Sequence, residues 1–130
     1  MHEIPNPLLF TYGYLQTKYQ RIKNAPFFKA QSLGAAVFLG HLYEVNDYPG
    51  AVHSGQSRDK IYGEVFELFD TKDLILLDNY EMALPTVSVD AAYCRRLRTV
   101  EMLDGQFLEC WVYEYIRDTD TLRKILSGKY

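Results

Sequence analysis

Residues 61–81, IYGEVFELFDTKDLILLDNYE, change their periodicity part-way along. Up to Phe69 they alternate, with Ile61, Gly63, Val65, Glu67 and Phe69 on one face of an extended strand and Tyr62, Glu64, Phe66 and Leu68 on the other. Both faces carry apolar residues, which predicts a strand in the middle of a sheet. After Phe69 the spacing becomes helical. Asp70 offers a side-chain oxygen to the free amides of a new helix, and Asp73 suits its positive N-terminal pole. Leu74, Leu77, Asp78 and Glu81 then share one stripe, so a helix is expected from about Thr71 to Tyr80, with Pro85 marking its exit.

Upstream, IPNPLLFTYG (residues 4–13) opens with prolines that discourage helix and turns apolar through Leu8, Leu9 and Phe10, a strand ending at Gly13. Residues 16–28 read as a polar, partly helical connection stopped at Asn24-Ala25-Pro26. Gln31 to Val45 is rich in β-formers, with Gly34 and Gly40 as bulge or bend positions, and Asn46-Asp47-Tyr48-Pro49-Gly50 reads as the turn that closes it, before a short strand at Ala51-Val52. Downstream, YCRRLRTVEM (93–102) and QFLECWVYEYI (106–116) form a hairpin across Leu103-Asp104-Gly105-Gln106, and DTLRKIL (120–126) reads as a short helix stopped by Gly128. Strands, one mid-chain helix and more strands, with long Gly-bent segments, predict an α+β fold built on a small curled or closed sheet.

The 130 residues form a single expected domain, 1–130, and 48% hydrophobic residues supply its core. Seven Phe and eleven Tyr favour strands, and Tyr suits a pocket that must be greasy yet able to hydrogen-bond. A net charge of -3, with 14 basic and 17 acidic residues interspersed, gives no field for nucleic acid or an anionic membrane. The one basic cluster, Arg95, Arg96 and Arg98, splits across two faces of a strand and reads as a solvated edge. The apolar run LGAAVFL (33–39) is too short to span a bilayer, and the start MHEIPNPLLF has no secretory pattern, so a cytoplasmic location is expected. A monomer or weak homodimer suits a domain with no coiled-coil pattern.

Cys94 and Cys110 lie on the two arms of the predicted hairpin. A four-residue turn would set Cys110 opposite Thr99 and Cys94 opposite Tyr115, too far apart for a disulfide, so free thiols are expected. His2, His41 and His53 show no metal-ligand spacing with each other or with the cysteines.

Glu81 is the candidate for chemistry. A carboxyl at the end of a buried stripe is a poor anion, because desolvation and the negative pole of the helix C-terminus both favour its protonated form. Such a group can carry protons near neutral pH. The alternatives are a Glu81 that ends the helix in solvent, or one that pairs with Arg95 or Arg98.

Tyr12, Gly13 and Leu15, then Tyr48, Pro49 and Gly50, then Gly63 and Glu64, then Leu77, Asp78, Tyr80 and Glu81 occur in an order and spacing that resemble the gamma-glutamylcyclotransferase-like family over nearly the whole chain. That family includes gamma-glutamylamine cyclotransferases and plant avirulence-induced proteins. The resemblance implies a six-stranded mixed β-barrel flanked by helices and a pocket between the Tyr-Gly-x-Leu loop and the helix-end glutamate. It also implies cyclisation of a small γ-glutamyl substrate to 5-oxoproline and a free amine, without metal or cofactor. Glu81 is then the general acid/base, backbone amides from Gly13 to Leu15 hold a carboxylate or oxyanion, and Tyr12, Tyr113 and Tyr115 line the pocket. Tyr14 stands where the family has a small Thr or Ser. Pointing inward it narrows the pocket, and pointing outward it leaves the backbone cradle unchanged. The alternative functions are a ligand-binding protein of the same fold or a protein-interaction domain.

Overall fold

Strand β2 organises the sheet, because its sixteen residues are long enough to serve four partners. The computed structural model describes residues 6–13, 15–16, 29–46, 48–56, 58–80, 83–84 and 92–130, with residues 79–80 and 83–84 by their main chain alone. Its elements are β1 (Leu8–Thr11), β2 (Ala30–Val45), β3 (Tyr48–His53), β4 (Lys60–Leu68), α1 (Asp73–Tyr80), β5 (Ala83–Leu84), β6 (Tyr93–Met102), β7 (Phe107–Tyr115) and β8 (Arg123–Lys124).

A ring closes through five strands. β1 lies antiparallel to β4, β4 to β2, β2 to β6 and β6 to β7, and β7 returns parallel to β1 at Leu9 and Trp111. β3 lies beside this five-stranded mixed barrel as an extra strand, joining β2 to the far end of β7, where Ala51 pairs with Glu114. Two glycines let β2 do this. At Gly34 (φ 108) the register with β4 shifts, a bulge that bends the strand. At Gly40 the partner changes to β3, and a Cβ there would stand 2.3 Å from the Val52 carbonyl oxygen.

The alternation read from the sequence sorts the core. Phe10, Phe38, Leu42, Ile61, Val65, Val100 and Val112 fill the barrel. Leu9, Leu15, Leu68, Tyr93 and Tyr113 face outward and are covered by Leu74 and Leu77 of α1. Each fully buried Leu of this outer layer contributes about 1.5–3 kcal/mol relative to exposure. The Asp70 carboxylate accepts from Lys72 N at 2.9 Å, as a helix-capping residue should, and regular α-helix begins at Asp73.

Four sequence expectations change in detail. Of the expected 46–50 turn, Asn46 takes the left-handed conformation (φ 54), and Tyr48-Pro49-Gly50 already belongs to β3. The hairpin turn is one residue shorter than expected: Met102 N donates to Gln106 O, and Gly105 (φ 89) takes the left-handed position. Cys110 therefore faces Arg98, and Cys94 faces Glu114. Four residues of strand, about 13 Å, still separate the two cysteine positions along β6, and both thiols are buried and not joined in a disulfide. The 120–126 segment is not helical. β4 has ended beside Leu39, and the exposed edge of β2 beyond it takes Arg123 and Lys124 as β8, with Ile125 N donating to Leu42 O at 2.7 Å. Nor are the arginines a solvated edge, since Arg95 and Arg98 each hold a buried carboxylate. The 16–28 connection lies largely outside the described residues.

Candidate active site

The loop after β1 is fixed from several directions. Gln16 N and its side-chain amide Nε2 both donate to the Gly13 carbonyl, each at 3.1 Å, which holds Gln16 back against Gly13. A Cβ on Gly13 would lie 2.7 Å from Pro49 Cγ, so the loop rests directly on β3. The Tyr12 phenol is buried; it donates to the Tyr113 carbonyl and accepts from Ala51 N. Leu15 is buried in the outer layer beneath α1.

β3 is held against the same place. Tyr93 Oη donates to the Pro49 carbonyl at 2.9 Å, and Tyr93 packs edge-on against Tyr115 with ring centres 5.6 Å apart. A Cβ on Gly50 would meet Tyr115 Cβ at 3.0 Å. Gly63 supports the loop from behind, because a Cβ there would lie 2.2 Å from the Thr11 carbonyl oxygen. The Tyr-Gly, Pro-Gly and Gly-Glu segments, distant in sequence, thus adjoin at one end of the barrel.

The helix reaches this end through Asp78. Its carboxylate accepts from Arg95 Nε at 2.8 Å, from Arg95 Nη2 at 3.2 Å and from Tyr113 Oη at 2.6 Å. The Arg95 guanidinium lies over the Trp111 ring, 4.3 Å from its centre, and the indole Nε1 donates to Asn6 O. Two parallel bonds and a stacked guanidinium are geometry that lysine could not supply.

A second feature lies apart from these contacts. A groove of about 350 Å³ opens between β2 and β6, lined by Val37, Leu39, His53, Arg98 and Phe107 among others, and among the described residues shares none with the loop. Beside it Arg98 makes a bidentate pair with buried Glu114, at 2.6 and 3.1 Å. Burial, and then the Arg98 charge, push the pKa of His53 below its usual value.

The family model described as gamma-glutamyl cyclotransferase, AIG2-like, matches residues 9–130. The chain belongs to that family. No curated protein matches its sequence. Among solved structures, this AIG2-like chain is similar to ytfP from Escherichia coli, with 29% identity over 95% of each chain and a TM-score of 0.65. It is similar to YkqA from Bacillus subtilis at 24% identity and a TM-score of 0.72, covering 96% of this chain but 39% of YkqA, well under half its length. An AIG2-like protein from Mus musculus shares 19% identity over 95% of this chain and 87% of that one, with a TM-score of 0.69. The last two similarities concern the fold alone.

Of the site residues expected in this AIG2-like chain, Tyr12, Gly13, Leu15 and Tyr113 come together, and half-buried Tyr115 stands beside Gly50. Tyr14 and Glu81 lie outside the described residues. Asp78, Arg95 and Tyr93 had no site role in the sequence reading. The signal for Asp78 was present, as an acid on the apolar stripe of α1, but its partners come from β6 and β7.

Proposed function

We propose that the protein is a γ-glutamyl cyclotransferase that releases 5-oxoproline and a free amine or amino acid, with Glu81 as general acid/base. The observation that carries this reading is the junction at Tyr113, which joins the glycine loop to the helix that leads into Glu81. Family membership supports it independently.

The reaction is a cyclisation within one molecule. The substrate α-nitrogen attacks its own γ-carbonyl carbon, a new C–N bond closes the five-membered lactam, and the old C–N amide bond breaks. The loop folds the substrate so that nitrogen and carbon meet, an orientation effect that can reach about 7–11 kcal/mol. Backbone amides of residues 13–15 hold the substrate carboxylate or the developing oxyanion. Glu81 takes the proton that the ammonium must lose and returns it to the departing amine. Every atom is accounted for by the two products, and no cofactor enters the scheme.

Purified protein incubated with γ-glutamyl amino acids, γ-glutamyl-lysine and glutathione should yield 5-oxoproline by mass spectrometry from at least one of them. Glu81→Gln should stay folded and release none. Ligand binding without product in the wild type would favour the non-catalytic reading, in which Tyr14 stands where the family carries a small hydroxyl.

A further inference from the structure

We propose that Arg95, acting through Asp78, is a positioning residue for turnover, fixing the last turn of α1, which ends one residue before Glu81 in the chain. The inference rests on the cyclotransferase reading above. Helix α1 has eight residues, too few to hold its own end by intrinsic helix stability. What fixes that end must come from tertiary contacts. Leu74 and Leu77 anchor the helix by burial, yet packing of this kind tolerates rotation and sliding. The carboxylate of Asp78 adds direction: Arg95 binds both of its oxygens, and Tyr113 binds Oδ1 from another strand.

The partners of Asp78 are themselves immobilised. Arg95 has a side chain only 11% exposed, between the carboxylate and the Trp111 ring, and Trp111 is tied through its indole N–H to Asn6. Tyr113 is buried, and its carbonyl holds Tyr12 at the start of the glycine loop. The clamp therefore references the helix end to the strands that carry the loop. Glu81 follows Asp78 by three residues, a chain length of at most about 10 Å, so the position of Asp78 bounds where Glu81 can reach. Proton transfer needs near-contact distances, and about 1 Å of misplacement can cost about 100-fold in rate.

The test compares wild type, Arg95→Met, Arg95→Lys and Asp78→Asn as full chains, with circular dichroism confirming that each is folded at the assay temperature. For 5-oxoproline release, Arg95→Met should lower kcat by about 10–100-fold with KM changed less than about threefold, and Arg95→Lys should recover part of the loss. Amide hydrogen exchange should accelerate at Asp78, Asn79 and Tyr80 in Arg95→Met while β4 and β7 keep their protection. An unchanged kcat in folded Arg95→Met, or a rise in KM alone, overturns the positioning role. If the wild type forms no product, the cyclotransferase reading fails by itself, and exchange decides the clamp: unchanged protection at residues 78–80 in Arg95→Met overturns it.

Discussion

The hydroxyl of Tyr113 donates to Asp78 Oδ1 at 2.6 Å across 35 residues of sequence, and the main-chain carbonyl of the same tyrosine accepts from the Tyr12 phenol. One residue of β7 therefore ties the helix on the barrel's outer face to the loop at its mouth. Because Tyr12, Asp78 and Tyr113 are all buried, loss of any of these bonds is not made good by water.

Tyr113→Phe keeps the ring and removes the donor to a buried carboxylate. The expected cost is about 1.5–3 kcal/mol of unfolding free energy in urea. Tyr12→Phe deprives both the Tyr113 carbonyl and Ala51 N of a partner, and about 1–3 kcal/mol is expected. A change under about 0.5 kcal/mol in either variant would mean that the hydroxyl contributes nothing net.

Gly13→Ala and Gly63→Ala should part company. At Gly63 the new methyl meets the Thr11 carbonyl oxygen at 2.2 Å and the Phe10 ring at 2.6 Å, atoms of the barrel wall and core that have little room to retreat. Overpacking should lower stability by about 1–3 kcal/mol or more. At Gly13 the obstacle is one edge of the Pro49 ring, at 2.7 Å, so the fold should survive while the loop shifts. Release of 5-oxoproline from Gly13→Ala should fall at least about 10-fold, and wild-type turnover would show that the loop backbone does not touch substrate.

Cys110 should be chemically silent. Burial, reinforced by the charge of Glu109, pushes its thiol pKa up to about 12. Near pH 8 the thiolate is then about one part in ten thousand. Iodoacetamide should leave native Cys110 unlabelled over hours and modify it fully in urea, read by intact mass with peptide mapping. Rapid native labelling would reveal a barrel that opens at β7.

Stability should decline on mild acidification, in part through His53. Its pKa in the folded state lies below the ordinary 6.5, chiefly because of burial. The unfolded chain then binds more protons than the folded one as pH drops through 6.5, so unfolding gains ground. His53→Gln should lose less stability than wild type between about pH 7.5 and about pH 5 in urea titrations. Equal losses would place the acid sensitivity elsewhere. Asp59 acts at lower pH: hydrogen bonds from Lys124 and His41 hold its pKa below 3.8, so its contribution is present above that value and fades as pH falls through the folded-state pKa.

Much of the barrel was legible in the chain. Alternation at Ile61–Phe69 marked β4 as a strand with partners on both sides, and Asp70 marked where the helix begins. The glycines at 34 and 40 announced the bends of β2, and the ordered Tyr-Gly, Pro-Gly and Leu-Asp motifs gave the family. The candidate site was legible only as segments. Nothing local to Tyr12 says that its phenol ends on the carbonyl of Tyr113, and nothing local to Gly13 says that it rests on Pro49.

The sequence by itself determined the long strands, the mid-chain helix and which faces are apolar, because short-range sterics and the need to bury alternate residues act within a few positions of each other. Tertiary structure decided the partners. It shortened the 102–106 turn around Gly105, turned residues 123–124 into a strand, and took Arg95 from an expected solvent edge to a clamp on Asp78. Each outcome depends on which hydrogen-bonding edge or buried charge another part of the chain leaves unsatisfied. That is fixed only once the barrel has closed.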